Sequence, residues 1–284
     1  MNLPEGLSQY LNKCGWGSVV AIESIGGGYI NAVCLLQTER GPPSLLKTNS
    51  KSPKDMFMRE HEGLCALSVT RGLRVPAVYE CGDNWLLMEY IPNTNPASNY
   101  WSVLGEGLAQ IHLTMGESFG FSEDNFIGST VQVNSWTDDG HEFFAEHRLR
   151  FQGRLALDKG LLGKEDYRLL NWIACGLNDL IPSQPPSLIH GDLWIGNLIS
   201  GLGGIPVIID PAVHFGWAEA ELAMTNLFGK FDAEAYIAYE GVRPLEPGYR
   251  DRIDIYNLYH LLNHLNIFGK VYLPQVQSIL RQYI

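Results

Sequence analysis

The sequence predicts an α+β fold with two lobes, a small strand-rich N-terminal lobe and a larger, mostly helical C-terminal lobe. Residues 19–91 hold five short apolar runs separated by turn residues, with one helical stretch among them. From residue 101 onward the patterns are those of amphipathic helices. The polar turn at 92–96 is suited to joining two lobes. We therefore predict lobes at residues 1–91 and 92–284.

Composition restricts the classes of protein that fit. The chain has 284 residues, 45% of them apolar, which is enough for one large domain or two lobes. Its net charge of −11 argues against a nucleic-acid partner and weakly favours a substrate that carries positive charge. The five cysteines form no CxxC pair, so neither a zinc site nor a disulfide framework is indicated. Without a signal-like N-terminus or a long apolar run, we expect a cytoplasmic protein with no membrane partner.

A glycine-rich turn follows the first predicted strand. This strand, at 19–25, runs into three successive glycines, and a second strand at 32–38 returns from them. Such a turn lets backbone N–H groups close over phosphates, because no side chain intervenes. Three glycines in a hairpin are also common in ordinary turns, so the signal is weak alone. The candidate phosphate-binding residues are Gly26, Gly27 and Gly28.

A lysine and a glutamate form the second part of the predicted nucleotide site. Lys47 ends the third strand, and a helix predicted over 53–71 follows it. On that helix Glu60 shares a face with Met56 and Leu64, where an unpaired carboxylate would be costly to bury. We predict that Glu60 pairs with Lys47 and holds it toward the phosphates of ATP. A surface glutamate at the edge of the apolar face is the alternative.

Two further strands, at 78–81 and 85–91, complete a predicted five-stranded antiparallel sheet. The end of the last strand is the predicted hinge between the lobes. Adenine needs one backbone acceptor and one backbone donor there. We assign these roles to the Glu89 carbonyl and the Ile91 amide, because Pro92 has no N–H to donate.

The stretch from Ser187 to Ala212 carries the predicted chemistry. Two short apolar strands end in acids, at Asp192 and Asp210, and Asn197 lies between them. The spacing of Asp192 and Asn197 is that of the protein kinase catalytic loop, so the predicted fold is protein-kinase-like. We predict that Asp192 takes the proton of a substrate hydroxyl, and that Asn197 and Asp210 bind Mg²⁺. The alternative is a hairpin whose loop happens to carry these polar residues.

Several segments resemble the fructosamine kinase family. HGDLWIGN at 190–197 is similar to the family signature, as are the segments at 210–212, 219–229 and 143–149, so the resemblance covers nearly the whole chain. It implies a bilobal enzyme that uses ATP and Mg²⁺ to phosphorylate the 3-hydroxyl of ketosamines, the sugar adducts of amines, in a deglycation repair step. Small-molecule ketosamines or glycated protein lysines are the implied partners. Some members carry a dimer-forming cysteine where this chain has Tyr29, and a monomer or a homodimer remains open.

Aromatic residues flank the two acids. Rings beside carboxylates suit a sugar with a protonated amine, because the rings stack and the acids supply charge. An ordinary place in the core is the alternative for each ring. The nearby Glu219 and Glu221 are ambiguous between a substrate contact and a helix N-terminus. The candidate substrate residues are Trp194, His214, Phe215 and Trp217.

Two other functions stay open beside the ketosamine kinase. One is a kinase of the same fold that acts on an aminoglycoside- or choline-like alcohol, and Trp194 in the signature argues against it. The other is a non-catalytic nucleotide-binding protein. That possibility is disfavoured because the predicted lysine, glutamate, base and metal ligands are all present.

Overall fold

The computed structural model describes residues 3–27 and 30–283. Its N-terminal part is a five-stranded antiparallel sheet in the order β1-β2-β3-β5-β4, which confirms the predicted sheet. The predicted strand ranges agree with the observed ones to within two residues. The strands are β1 (Val19–Gly27), β2 (Ala32–Thr38), β3 (Ser44–Thr48), β4 (Val78–Gly82) and β5 (Trp85–Glu89).

Two helices cover the two faces of this sheet. Alternate residues of β5 point to opposite faces, as in any strand. Trp85 and Leu87 pack in the cluster that contains α1 (Leu7–Lys13), whereas Leu86 and Met88 pack in the cluster that contains α2 (Met56–Leu67). The sheet is therefore apolar on both faces.

Helix α2 is shorter than the predicted range of 53–71. Its N-terminal neighbour Asp55 has a left-handed φ of 63°, and Ser68 leaves the helical conformation at ψ 61°. Glu60 lies in the middle of the shortened helix, so its orientation is unaffected.

The remainder of the chain is mostly helical, as predicted. One expected helix at 143–159 is divided, because a π-helical segment, Phe144–Arg150, replaces its first half. Such segments are rare and often mark functional sites. The α-helices are α3 (Tyr100–His112), α4 (Gly140–Phe143), α5 (Phe151–Asp158), α6 (Lys164–Cys175), α7 (Leu177–Leu180), α8 (Ala218–Met224), α9 (Ala233–Val242), α10 (Tyr249–Phe268) and α11 (Leu273–Gln282).

Helix α10 is the central helix of this region, and most of its residues are buried. Helix α3 packs closely on α9, because a Cβ atom at Gly105 would come within 2.0 Å of the Ala235 carbonyl oxygen. No helix among the described residues is long and apolar enough to cross a membrane.

Short strand pairs carry the predicted chemistry. β8 (Ser187–Ile189) pairs with β11 (His214–Gly216), and β9 (Leu198–Ser200) pairs with β10 (Pro206–Ile208). A further hairpin, β6 (Asn125–Ile127) and β7 (Thr130–Gln132), was not predicted. Three-residue strands are too short to show alternation in the sequence.

The segment that follows β5 is attached to the β9–β10 pair. The Thr94 amide donates to the Ser200 carbonyl at 2.7 Å, and the Ala97 amide donates to the Gly204 carbonyl at 3.0 Å. The backbone after the sheet is therefore held against the strand pair that lies between the predicted metal ligands Asn197 and Asp210 in the chain.

Candidate active site

Lys47 lies at the centre of the charged part of the site. Its Nζ atom is 2.6 Å from Glu60 Oε1 and also contacts Asp210 Oδ1. Burial alone would lower the pKa of Lys47, but the Asp210 and Glu60 carboxylates outweigh burial and raise this pKa. Lys47 is therefore a cation at neutral pH. The pairing with Glu60 that periodicity predicted is present, and the contact with Asp210 links it to the catalytic stretch.

Two residues of the acid-bearing segments have left-handed backbone conformations. Asp210 has a φ of 58° and Gly191 a φ of 82°. At Gly191 a Cβ atom would come within 2.1 Å of the Ala212 carbonyl oxygen, so only glycine fits. A left-handed residue with a side chain costs on the order of 1 kcal/mol and persists only where its surroundings hold it. The conformation of Asp210 is thus imposed by its neighbours.

Asp192 lies half-buried on the floor of the cleft. Asn197 Nδ2 donates to the Asp192 carbonyl at 2.8 Å and lies 3.4 Å from Asp192 Oδ2. Burial lowers the pKa of His190, so this ring is neutral at pH 7. Its Nε2–H group donates to the Ile209 carbonyl at 2.9 Å, and its Nδ1 atom accepts the Asp192 amide at 3.3 Å. His190 thereby ties the strand ends of the two acids together.

The Asp192 carboxylate is poised to accept a proton. Burial raises the pKa of Asp192 to about 7, the Asp210 carboxylate adds to this rise, and the hydrogen bond from Asn197 opposes it. A base with a pKa near the working pH combines a useful ionised fraction with a strong drive to take a proton. This property follows from burial and from the Asp210 charge, which the single donor Asn197 does not offset.

Glu221, on α8, supports the same loop from behind. Its carboxylate accepts the Gly191 amide at 2.6 Å, the His190 amide at 3.0 Å and His112 Nε2 at 2.9 Å. Burial opposes ionisation, but the hydrogen bonds from His112 and from the His190 amide outweigh it and lower the pKa of Glu221. Glu221 is a positioning residue that fixes the backbone directly before Asp192.

The neighbouring Glu219 is also buried away from the cleft. Arg252 donates to both of its carboxylate oxygens, at 2.7 and 2.9 Å, and the Tyr256 hydroxyl donates at 2.9 Å. Neither Glu219 nor Glu221 lines the cleft, so the structure assigns both glutamates to support and neither to substrate contact.

The acids open onto a solvent-accessible cleft with a volume of about 420 Å³, within the range of about 300–1000 Å³ that is typical of a small-ligand pocket. On the sheet side it is lined by Asn31, Val33 and Lys47. On the other side α10 contributes residues that share one helix face, and the β6–β7 hairpin contributes a wall. Sequence reasoning missed these wall residues, which are Asn125, Phe126, Gly128, Asn263, Ile267 and Phe268.

Only one of the four predicted substrate aromatics lines the cleft. Trp194 does so, and its ring packs edge-on against Phe228 at 6.1 Å. His214 and Trp217 are buried in an inner cavity behind Gly191, and Phe215 packs against Trp136 at 6.2 Å on the far side of β11. Proximity in sequence to Asp210 placed these three residues near the acid but could not show that none of their side chains faces the cleft.

A buried polar network connects the cleft wall to the acid-bearing segment. Gln132 Nε2 donates to the Ala212 carbonyl at 2.9 Å, and Asn125 Nδ2 donates to the Val213 carbonyl at 2.7 Å. Arg148, on the π-helical segment, donates to Asn134 Oδ1 at 2.8 Å, and Asn134 Nδ2 donates to Asn125 Oδ1 at 3.0 Å. These bonds hold the backbone that follows Asp210.

The structure describes only some of the residues that were predicted to contact the nucleotide. Gly26 and Gly27 end β1 and pair with Val33 and Ala32, which forms the expected hairpin, while Gly28 and Tyr29 lie outside the described residues. Among the described residues, the Ile91 amide has no hydrogen-bond partner, as a donor reserved for a ligand would require. The adenine contacts of Glu89 and Ile91 stay predictions.

The donor set suits Mg²⁺. Asn197 uses its amide nitrogen on Asp192, and Asp210 uses one oxygen on Lys47. The Asn197 Oδ1 and Asp210 Oδ2 atoms accept no hydrogen bond from any described residue. Free hard oxygens on one or two side chains are what Mg²⁺ takes in phosphate-handling sites.

Known proteins resemble this chain over nearly all its length. A sequence profile of the fructosamine kinase family matches residues 8–284. A protein of Synechocystis named "probable ketoamine kinase" is 40% identical over 265 residues, 91% of this chain and 88% of that protein. The chloroplastic protein-ribulosamine 3-kinase of Oryza sativa subsp. indica is 37% identical over 278 residues, 94% of this chain and 79% of that protein.

Solved structures agree in fold. A Thermobifida fusca protein assigned as a fructosamine-3-kinase superposes with a TM-score of 0.90 at 32% identity, covering 99% of this chain and 98% of that one. A gentamicin-bound aminoglycoside phosphotransferase superposes with a TM-score of 0.63 at 15% identity, covering 99% and 97%, a likeness in fold alone. The predicted bilobal, protein-kinase-like fold is confirmed. With this architecture, and a family profile that spans almost the entire sequence, the chain is a kinase that belongs to the fructosamine kinase family.

Proposed function

We propose that this kinase transfers the γ-phosphate of ATP to the 3-hydroxyl of ketosamines, as a deglycation step in the cytoplasm. The observation that carries the proposal is the grouping of one base, one cation and two free hard oxygens in a single cleft. The names of the curated relatives, ketoamine kinase and protein-ribulosamine 3-kinase, support the substrate class.

In this proposal Asp192 accepts the proton of the attacking hydroxyl. Its raised pKa makes that transfer favourable near neutral pH. Glu221 and His190 hold the loop so that the carboxylate does not move as its charge changes. Asn197, which donates to both the carbonyl and the side chain of Asp192, limits rotation of the carboxylate.

Lys47 and the metal ligands position the phosphates of ATP. Lys47 binds phosphate oxygens while Glu60 keeps its ammonium group in position. Asn197 and Asp210 are the residues that would hold Mg²⁺, which when bound neutralises charge on the phosphates. Gly26, Gly27 and Gly28 would cover the phosphates, and the Glu89 carbonyl and Ile91 amide would hold adenine, within the lobes proposed at 1–91 and 92–284.

The sugar would lie between Trp194 and α10. Trp194 supplies a ring face, and Asn263 and His264 supply polar groups on the same cleft. Burial lowers the pKa of His264, so a neutral imidazole faces the sugar hydroxyls at pH 7. A protonated amine would be attracted by the Asp192 carboxylate on the floor, since Lys47 and Mg²⁺ use the two oxygens of Asp210.

The test is ATP turnover with Mg²⁺ on ribulosamine, fructosamine, choline and an aminoglycoside, with phosphate position read by NMR. We expect turnover of a ketosamine at about 1–100 s⁻¹, the range usual for kinases, with the phosphate on oxygen 3. Lys47→Met serves as the inactive control. Turnover of choline or the aminoglycoside alone would keep the kinase and overturn the substrate.

A further inference from the structure

A second depression lies beside the cleft and has no part in the proposed chemistry. This side groove has a volume of about 410 Å³ and is open to solvent. One wall is the start of α2, with Lys54, Asp55 and Arg59, and the other is the loop at 121–124 together with residues 134–136.

The side groove is continuous with the cleft. Arg59 and Phe126 line both. Arg59 is held in place by Glu62 at 2.6 Å on its own helix and approaches Glu123 on the opposite wall at 3.8 Å. A molecule in the cleft can therefore extend into the groove past the Arg59 and Phe126 side chains.

An exposed tryptophan marks the outer end of the groove. Trp136 is 54% exposed, and its ring is supported from below by Phe215, at 6.2 Å between ring centres. Exposed, supported tryptophans are frequent anchors of protein interfaces, because they offer a large rigid face at little entropic cost. Unless a ligand or a partner covers it, the exposed face of the Trp136 ring is in contact with solvent.

The charge of the groove suits a basic partner. Its ionisable side chains are three carboxylates and two cations, and Arg59 already contacts two glutamates. The whole chain carries −11, so a basic segment is attracted from a distance as well. The groove carboxylates are Asp55, Glu123 and Asp124.

We propose that the side groove binds the polypeptide that carries a glycated lysine, with Trp136 packing against residues next to that lysine. This inference rests on the proposed function, because the ketosamine itself must lie in the cleft. It assigns protein-bound adducts with basic neighbours as the preferred substrates. Free adducts fill the cleft alone and gain nothing from the groove.

The test compares one sugar on two carriers. Ribulosyl-lysine and a ribulosylated nonapeptide with basic flanks are assayed with wild type, Trp136→Ala and Trp172→Ala. Trp172 is 58% exposed on α6 and outside the groove, so it is a matched control. We expect Trp136→Ala to lower kcat/KM for the peptide about five- to thirtyfold, mainly through KM, the loss usual for an interface anchor.

The same variant should leave kcat/KM for ribulosyl-lysine unchanged within about twofold, and Trp172→Ala should alter neither substrate. Equal losses on both carriers with Trp136→Ala, or no loss on the peptide, would overturn the groove assignment. Turnover of neither substrate by wild type would refute the proposed function, and the groove assignment with it.

Discussion

The two sides of the catalytic loop bury a carboxylate each, and the two carboxylates behave in opposite ways. On the cleft side, the pKa of Asp192 is raised to about 7 by burial and by Asp210. On the rear side, hydrogen bonds from His112 and the His190 amide lower the pKa of Glu221 in spite of burial. Burial alone therefore does not set the protonation of an acid. Hydrogen-bond donors and neighbouring charges decide the outcome.

The two carboxylates therefore have different roles in the loop. The rear carboxylate keeps its charge and holds the backbone, while the front carboxylate is left short of donors and so can take up a proton. The following predictions test this contrast, beginning with the largest expected effect.

Replacing Asp192 with Asn should lower kcat by about 10²- to 10⁴-fold, the usual contribution of a general base. Asn has nearly the same shape but cannot accept the proton. Steady-state kinetics with a ketosamine would measure the loss, and unchanged ATP binding by calorimetry would show that the site is intact. A variant with full kcat would remove Asp192 as the base.

Replacing Glu221 with Gln should lower the free energy of unfolding by about 2–4 kcal/mol, because an amide cannot accept all three donors and presents its own N–H groups to one of them. Urea unfolding monitored by circular dichroism would measure it. Glu165→Gln, an exposed position on α6, is the control and should change stability by less than about 0.5 kcal/mol. Similar losses in both variants would contradict a special role for the rear carboxylate.

Lowering the pH should reduce activity through the front carboxylate. For the free enzyme, kcat/KM should fall about tenfold per pH unit below the Asp192 pKa of about 7, because only the ionised form accepts the proton. A pH–rate profile measured with Mg²⁺·ATP and the ketosamine both well below saturation would show it. A profile that stays flat down to pH 5 would place the pKa of the base elsewhere.

The same raised pKa should make Asp192 a cost to stability. Since the folded form holds its proton more tightly than the unfolded chain does, stability due to this group is present at pH 4 and lost as the pH rises through about 7. Asp192→Asn should therefore stabilise the protein at pH 8 by on the order of 1 kcal/mol, since the half-buried side chain is partly solvated. At pH 4 the difference should nearly vanish. Destabilisation at pH 8 would contradict the raised pKa.

The cleft and the side groove differ in how many of their residues could be identified from local sequence patterns. Lys47, Glu60, Asp192, Asn197 and Asp210 were all identified from spacing within single elements, and the structure brings them together. The residues of the side groove come from two distant segments, and none of them stands out in the sequence. The supporting polar residues Asn125, Gln132 and Arg148 were missed for the same reason. Asn125 and Gln132 contact backbone about 80 residues away, and Arg148 reaches Asn125 only through Asn134.

The sequence by itself determined the five-stranded sheet, the helical remainder and the order of the charged residues, because strand and helix periodicity and turn residues are local properties. Only the tertiary structure decided which side chains face the cleft. His214 and Trp217 follow Asp210 closely but lie behind the loop. The pairing of β11 with β8 turns His214 inward, and Trp217, directly after β11, is buried in the same inner cavity. The opposite protonation of Asp192 and Glu221 was likewise decided by donors from separate elements, which no local pattern contains.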